Sequence, residues 1–290
     1  MVFTLLVSFG VPVGLFFGLR KRFGLKGMPL LAGAIVFFVF VEILESVMHL
    51  LVLHPAADGT NALLPSHPWV YVAYGALAAG IFEETGRFTA FHILKKKFTG
   101  VRTAISYGIG HGGIEAILVA GVTMVSDLAI SAMINTGNTN IGQATVTTLT
   151  GTAPYMFYMS GVERLLAILL HLSLSVFVWT AVTRRGFGWL YPVAILLHAL
   201  ADVPAAMYQA GKLTYAPVTI LLVITVAIYL TCAIMLVRQA LARERAEALV
   251  SEPMPQFAPP DPSTLITEPA NRPDIAPFAQ MVEPPVTEQQ

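Results

Sequence analysis

The 290 residues are 56% hydrophobic and only 12% charged, with a mean hydropathy of +0.70. A soluble domain carries about twice that share of charge, so the composition excludes an ordinary soluble globular protein and points to one embedded in a bilayer. A formal net charge of zero argues against a nucleic-acid or other polyanionic partner, and the single cysteine, Cys232, excludes an intrachain disulfide and a cysteine-rich metal site.

Seven apolar segments follow one another, at about 2–19, 28–53, 68–94, 102–126, 154–182, 188–208 and 216–237. The first has its basic cluster (Arg20, Lys21, Arg22 and Lys26) behind it and none ahead of it, the order of a signal anchor rather than of a signal peptide. Lys95, Lys96, Lys97 and Arg102 follow the third segment, Arg184 and Arg185 the fifth, and Arg238, Arg243 and Arg245 the seventh. The intervening loops 54–67 and 127–153 carry no Lys or Arg, and the last has only Lys212. By the positive-inside rule this alternation predicts an all-α, polytopic membrane helical bundle of about seven transmembrane helices, with the N-terminus outside and the C-terminus cytoplasmic. The expected organisation is a transmembrane bundle over 1–248 and a proline-rich, disordered cytoplasmic tail over 249–290. The loop 135–152, rich in Thr, Asn and Gly, reads as a flexible or partly ordered cap.

The third segment, GIFEETGRFTAFHILKKK at 80–97, sets two adjacent carboxylates and an arginine inside an apolar run. Glu83 and Glu84 lie four and three residues before Arg87, within reach of its guanidinium on a helix. Helical rise puts Glu84 roughly 16 Å from Lys95, His111 roughly 14 Å from Arg102, and His171 and His198 each roughly 20 Å from Arg184 and Arg185. Four helices thus bring an acid or an imidazole to one slab near the middle of the bilayer, where such groups cost most and are functional by default. Each has companions at helical spacing: His111 with Glu115, His198 with Asp202, and His171 with Arg164, beside which stands Glu163. A lone imidazole in such a place is an ordinary core histidine, but three of them with paired acids at one depth are better explained as a site. Glu42, Glu45 and His49 share a face of the second segment nearer the outer surface, and no chemistry is assigned to them. The glycines at 108, 110, 112 and 113 either let helices approach closely or let the chain unwind for a substrate.

Peptide hydrolysis within a membrane needs an activated water and stabilisation of an oxyanion, which a buried carboxylate with a facing imidazole can supply. His111, His171 and His198 with an acid also make a sufficient zinc set. The absence of HExxH means that the sequence does not demand a metal, and the glutamate route with no required cofactor is preferred. A transporter that relays protons or binds a metal through the same groups is the rival class, though no inverted repeat supports it.

The EETGR at 83–87, Tyr107 ahead of His111, and His198 ahead of Asp202 resemble the motifs of the CAAX-protease and bacteriocin-processing (CPBP) superfamily of intramembrane peptidases. GHGGIE at 110–115 and the run from Glu163 to His171 resemble its YhfC-like branch of bacterial membrane peptidases. The resemblance covers about residues 70–205. It implies a multi-pass cell-membrane endopeptidase, in a bacterial plasma membrane, acting on membrane-anchored proteins or peptides. Glu83 or Glu84 would be the base, with Arg87 orienting the glutamates. His111 would hold the water, His198 and Asp202 would complete the site, and Glu115, Glu163, Arg164 and His171 would support it. Two positions depart from the CAAX pattern: Arg87 follows the first glutamate by four residues instead of five, and Asp202 stands where Asn is usual. The added carboxylate makes a metal, or a protonated acid, more plausible.

Overall fold

A computed structural model describes residues 1–57, 60–137 and 141–251, and among them the only regular structure is helical. Long helices are α1 (Val2–Phe23), α2 (Gly27–Leu53), α4 (Pro68–Leu94), α5 (Arg102–Asn135), α7 (Pro154–Thr183), α8 (Leu190–Gln209) and α9 (Tyr215–Ser251). Two short helices, α3 (Leu63–Ser66) and α6 (Gln143–Gly151), lie in the loops. The second of these gives regular structure to part of the loop read from sequence as a cap. All the long helices but α4 are long and apolar enough to cross a membrane, which makes six candidate spans. At 27 residues α4 has the length, but it carries Glu83, Glu84 and Arg87 in its interior. The compact unit runs from Met1 to Ala246. The tail expected over 249–290 lies, from residue 252 onward, outside the described residues.

Five helices make the centre. The closest packing is of α5 on α2, α8 on α4, and α7 on α5, with α7 also touching α4 and α8. Glycines permit these approaches. A Cβ on Gly110 would stand 1.9 Å from the Leu30 carbonyl oxygen, and one on Gly33 would stand 2.2 Å from that of Tyr107, so α2 and α5 meet backbone to backbone. Gly80 plays the same part between α4 and α8, against the Ile195 carbonyl. The glycines around His111 therefore serve close packing rather than unwinding, since α5 stays α-helical from Arg102 through Ala116. Helix α9 docks by side chains: Val226, Tyr229 and Ala233 enter the core, and the Tyr229 hydroxyl donates to the Leu197 carbonyl at 3.0 Å.

Three π-helical stretches interrupt the rods, at Leu6–Gly10, Phe38–Glu45 and Ile117–Gly121. The wider turn in α2 corrects the expectation that Glu42 and Glu45 share a face: Glu45 is buried and Glu42 is exposed.

Candidate active site

The slab inferred from helical rise is a physical cluster. Helix α4 supplies Glu83, Glu84 and Arg87, α5 supplies His111 and Glu115, α7 supplies Glu163, Arg164 and His171, and α8 supplies His198 and Asp202. The three imidazoles stand in a row, with ring centres 4.7 Å apart from His111 to His171 and 5.4 Å apart from His171 to His198. Glu83 sits at their focus. Its Oε2 is 2.8 Å from His111 Nε2 and 3.8 Å from His171 Nδ1, and its Oε1 is 3.6 Å from His198 Nε2.

Glu84, its neighbour in sequence, faces elsewhere. Wholly buried, it pairs through Oε1 with Arg87 Nη1 and lies 2.7 Å from His198 Nδ1. Arg87 is also wholly buried, and its Nη2 lies 3.0 Å from His171 Nδ1. Arg87 thus binds one glutamate and one histidine, where the sequence suggested that it orients both glutamates.

The chemistry of the donors fixes the tautomers. A guanidinium only donates, so His171 Nδ1 must accept from Arg87, and the ring proton resides on Nε2, which meets Glu115 Oε2. Glu115 Oε1 in turn accepts from Arg164 Nη1 at 2.6 Å. Glu84, tied to the guanidinium, accepts from His198 Nδ1–H, which leaves His198 Nε2 between Glu83 and Asp202 Oδ2, 3.5 Å away. His111 donates from Nε2 to Glu83, and its buried Nδ1 has no partner among the described residues. Carboxylates therefore hold the far nitrogens of His171 and His198, the arrangement that commonly orients a ligating or proton-transferring imidazole.

A cavity of about 380 Å³ opens on this cluster, within the range of small-molecule sites. Glu83, Glu115, Arg164, His171, His198 and Asp202 are on its wall; Glu84 and Arg87 are not. A second cavity, of about 320 Å³, lies across α8 and shares Asp202, and His49 and Tyr74 are on its wall. There His49 Nδ1 is 2.8 Å from the Tyr74 hydroxyl, and His49 Nε2 is 3.3 Å from Glu45 Oε1.

Glu163 stands apart from the imidazoles: it accepts from the Tyr215 hydroxyl at 2.7 Å on the cavity wall. Neither Tyr215 nor Tyr74 was singled out from the sequence, because tyrosines near helix ends in a membrane protein look like interfacial anchors. The sequence offers His111, His171 and His198 with an acid as a ligand set. Glu83, His111 and His171 each offer a ligand atom, all within 4.8 Å of one another, while His198 is held by Glu84. These donor types and spacings fit a zinc ion. Two contacts compete for that place: Arg87 occupies the Nδ1 lone pair of His171, and His111 carries a proton on the Nε2 that faces Glu83, so ligation there needs that proton moved to Nδ1.

The chain is 35% identical over 232 residues to the Bacillus subtilis (strain 168) "Uncharacterized membrane protein YhfC", a match covering 76% of this chain and 88% of that protein. No solved structure matches the chain. The six apolar spans and this relative make it a multi-pass protein of the cell membrane. The family described as YhfC intramembrane metalloprotease matches residues 7–225, a stretch that holds every residue of the cluster, and the chain belongs to that family.

Proposed function

We propose that this chain is an endopeptidase that hydrolyses peptide bonds of membrane-associated proteins or peptides, at a centre formed by Glu83, His111 and His171 with His198 beside it. The observation that carries the reading is the convergence of three buried ligand atoms within 4.8 Å at the inner end of a polar cavity. Pro68–Leu94 then serves as a seventh span, about 40 Å long by helical rise. Its buried acids and Arg87 pair with one another and with the imidazoles instead of meeting lipid. The double-glutamate, His111 and His198 pattern shared with the CPBP superfamily supports the same reading.

A zinc ion held by Glu83, His111 and His171 would supply Lewis acidity and a nucleophile at neutral pH. Glu115 holds the Nε2 proton of His171 and so aims its Nδ1 at Glu83. His198 is the proton carrier. Glu84 fixes its Nδ1, and its Nε2, facing the cavity between Glu83 and Asp202, takes a proton from water and delivers it to the leaving amine. Glu84 is then a positioning residue and Glu83 the reacting carboxylate. Arg87, paired with Glu84, holds it in place.

The contact of Arg87 with His171 Nδ1 favours a second reading, without metal. Glu83 itself takes the proton from water through Oε1, where His198 Nε2 faces it at 3.6 Å, while His111 Nε2–H holds Oε2. Zinc content and turnover, measured together on detergent-purified wild type, Glu83→Gln and His111→Ala, separate the two. Stoichiometric zinc that falls away in both variants, with turnover lost to a chelator, supports the metal centre. Turnover indifferent to chelator but lost in folded Glu83→Gln supports the glutamate route. Zinc without any turnover would overturn both and favour a transporter.

A further inference from the structure

The cavity has a direction. From Glu83 its wall runs along α8 through Asp202 and Ala205 to Gln209, and along α7 from His171 back to Glu163. Tyr215 and Val218 at the start of α9 continue it. The second cavity runs the same way, from Ala79 back to Tyr71 on α4 and from His49 to Leu53 on α2. Every wall therefore leads to one end of the bundle, the end reached by the C-termini of α2 and α8 and the N-termini of α4, α7 and α9.

Towards the other end the same helices close. Phe91 is buried against Tyr107 and Trp179, with ring centres 4.7 and 5.2 Å away, and Leu174, Val178, Ala104 and Leu94 pack in the same cluster. No wall residue of either cavity lies beyond Glu83 on α4, His171 on α7 or His198 on α8 in that direction.

The two ends differ in charge. The closed end bears the basic clusters of residues 20–26, 95–102, 184–185 and 238–245, while Lys212 is the only Lys or Arg in the loops of the open end. Positive charge marks the cytoplasmic side.

We infer that the centre is served from the extracytoplasmic side, so that its substrates are peptide segments outside the cytoplasm: the outer juxtamembrane stretches of anchored proteins, or exported chains at the outer leaflet. The substrate half of this inference rests on the peptidase reading; the side of the opening does not. Tyr208, Gln209 and Tyr215 on the wall, with Glu163 and Arg164 below them, give an entering backbone both donors and acceptors. At the basic end a cavity of about 470 Å³ lies between Arg22, Lys97 and Arg102, but it shares no lining residue with the two that reach the centre, and the packed rings of Phe91, Tyr107 and Trp179 stand in the core on that side.

The side of access is read by alkylation, without turnover. In a Cys232→Ala background, Gln209→Cys, Ala205→Cys and Lys97→Cys are treated with a membrane-impermeant maleimide in intact cells and in inverted vesicles. The expected result is labelling of Gln209→Cys and Ala205→Cys in cells and of Lys97→Cys in inverted vesicles alone. The reverse pattern would overturn the proposal, as would Ala205→Cys that reacts only from the inverted side. The substrate half is read with two single-span probes that carry one peptide sequence on either the outer or the inner flank. At least a tenfold preference for the outer probe is expected, and preference for the inner one would overturn the assignment. Cleavage of neither probe would count against the peptidase reading, with the alkylation result still standing.

Discussion

Two halves of one helical bundle, divided at the level of Glu83, solve opposite problems with the same rods. Towards the basic end α4, α5 and α7 offer Phe91, Tyr107, Leu174, Val178 and Trp179, which pack against one another in the space between helices. Towards the other end the same helices and α8 offer Glu115, Arg164, Asp202 and short alanines, and the space between them is a cavity. The border is held by charge: Arg87 belongs to the packed half yet reaches Glu84 and His171 at the floor of the open one. A membrane protein can therefore keep a reactive polar centre by making it the end wall of a packed core. The burial that makes its charges costly also fixes their geometry.

The sharpest way to break this contrast is to remove the border. Arg87→Ala leaves Glu84 buried without its cation, and loss of one partner of a buried pair costs about 3–5 kcal/mol. Thermal unfolding in detergent should show that loss together with a loss of turnover. Phe91→Ala attacks the packed half alone. Its ring is wholly buried, so truncation should cost about 3 kcal/mol, read by the same unfolding assay, with residual turnover in the protein that remains folded. In the open half, Glu115→Gln loosens the far nitrogen of His171 and, with a metal centre, should weaken zinc about 10–100-fold in a competition titration; it also takes the carboxylate from Arg164, so the titration is read on protein shown to be folded. The smallest effect belongs to the basic surface. Glu244 lies 3.4 Å from Arg102 Nη1 and accepts from the Val101 amide, and Glu244→Gln should shift stability by less than about 1 kcal/mol with turnover unchanged.

Much of this contrast is legible in the sequence. The depth of Glu84, His111, His171 and His198 follows from counting helical rise from basic clusters, and the alternation of those clusters marks the two ends. Pairs at i and i+4 gave His198 with Asp202 correctly, at 3.5 Å, because both sit on one regular helix. The different placement of Glu83, on the cavity wall, and Glu84, off it, is not legible. Adjacent residues on a helix point about 100° apart, and which direction meets the cavity depends on how α8 packs against α4. Nor could the sequence show Arg87 reaching across to His171, a contact between residues 84 positions apart. The π-helical turn that separates Glu42 from Glu45 is likewise hidden in an unbroken apolar run.

The most direct test of the central claim is turnover of a single-span peptide by purified, lipid-reconstituted wild type beside Glu83→Gln, with both shown to be folded. The carboxamide keeps the shape of the residue and removes its charge. Cleavage by the wild type that falls about 100–10,000-fold in the variant is the result this account predicts. Equal cleavage by both proteins would contradict it and take the chemistry away from the Glu83 centre.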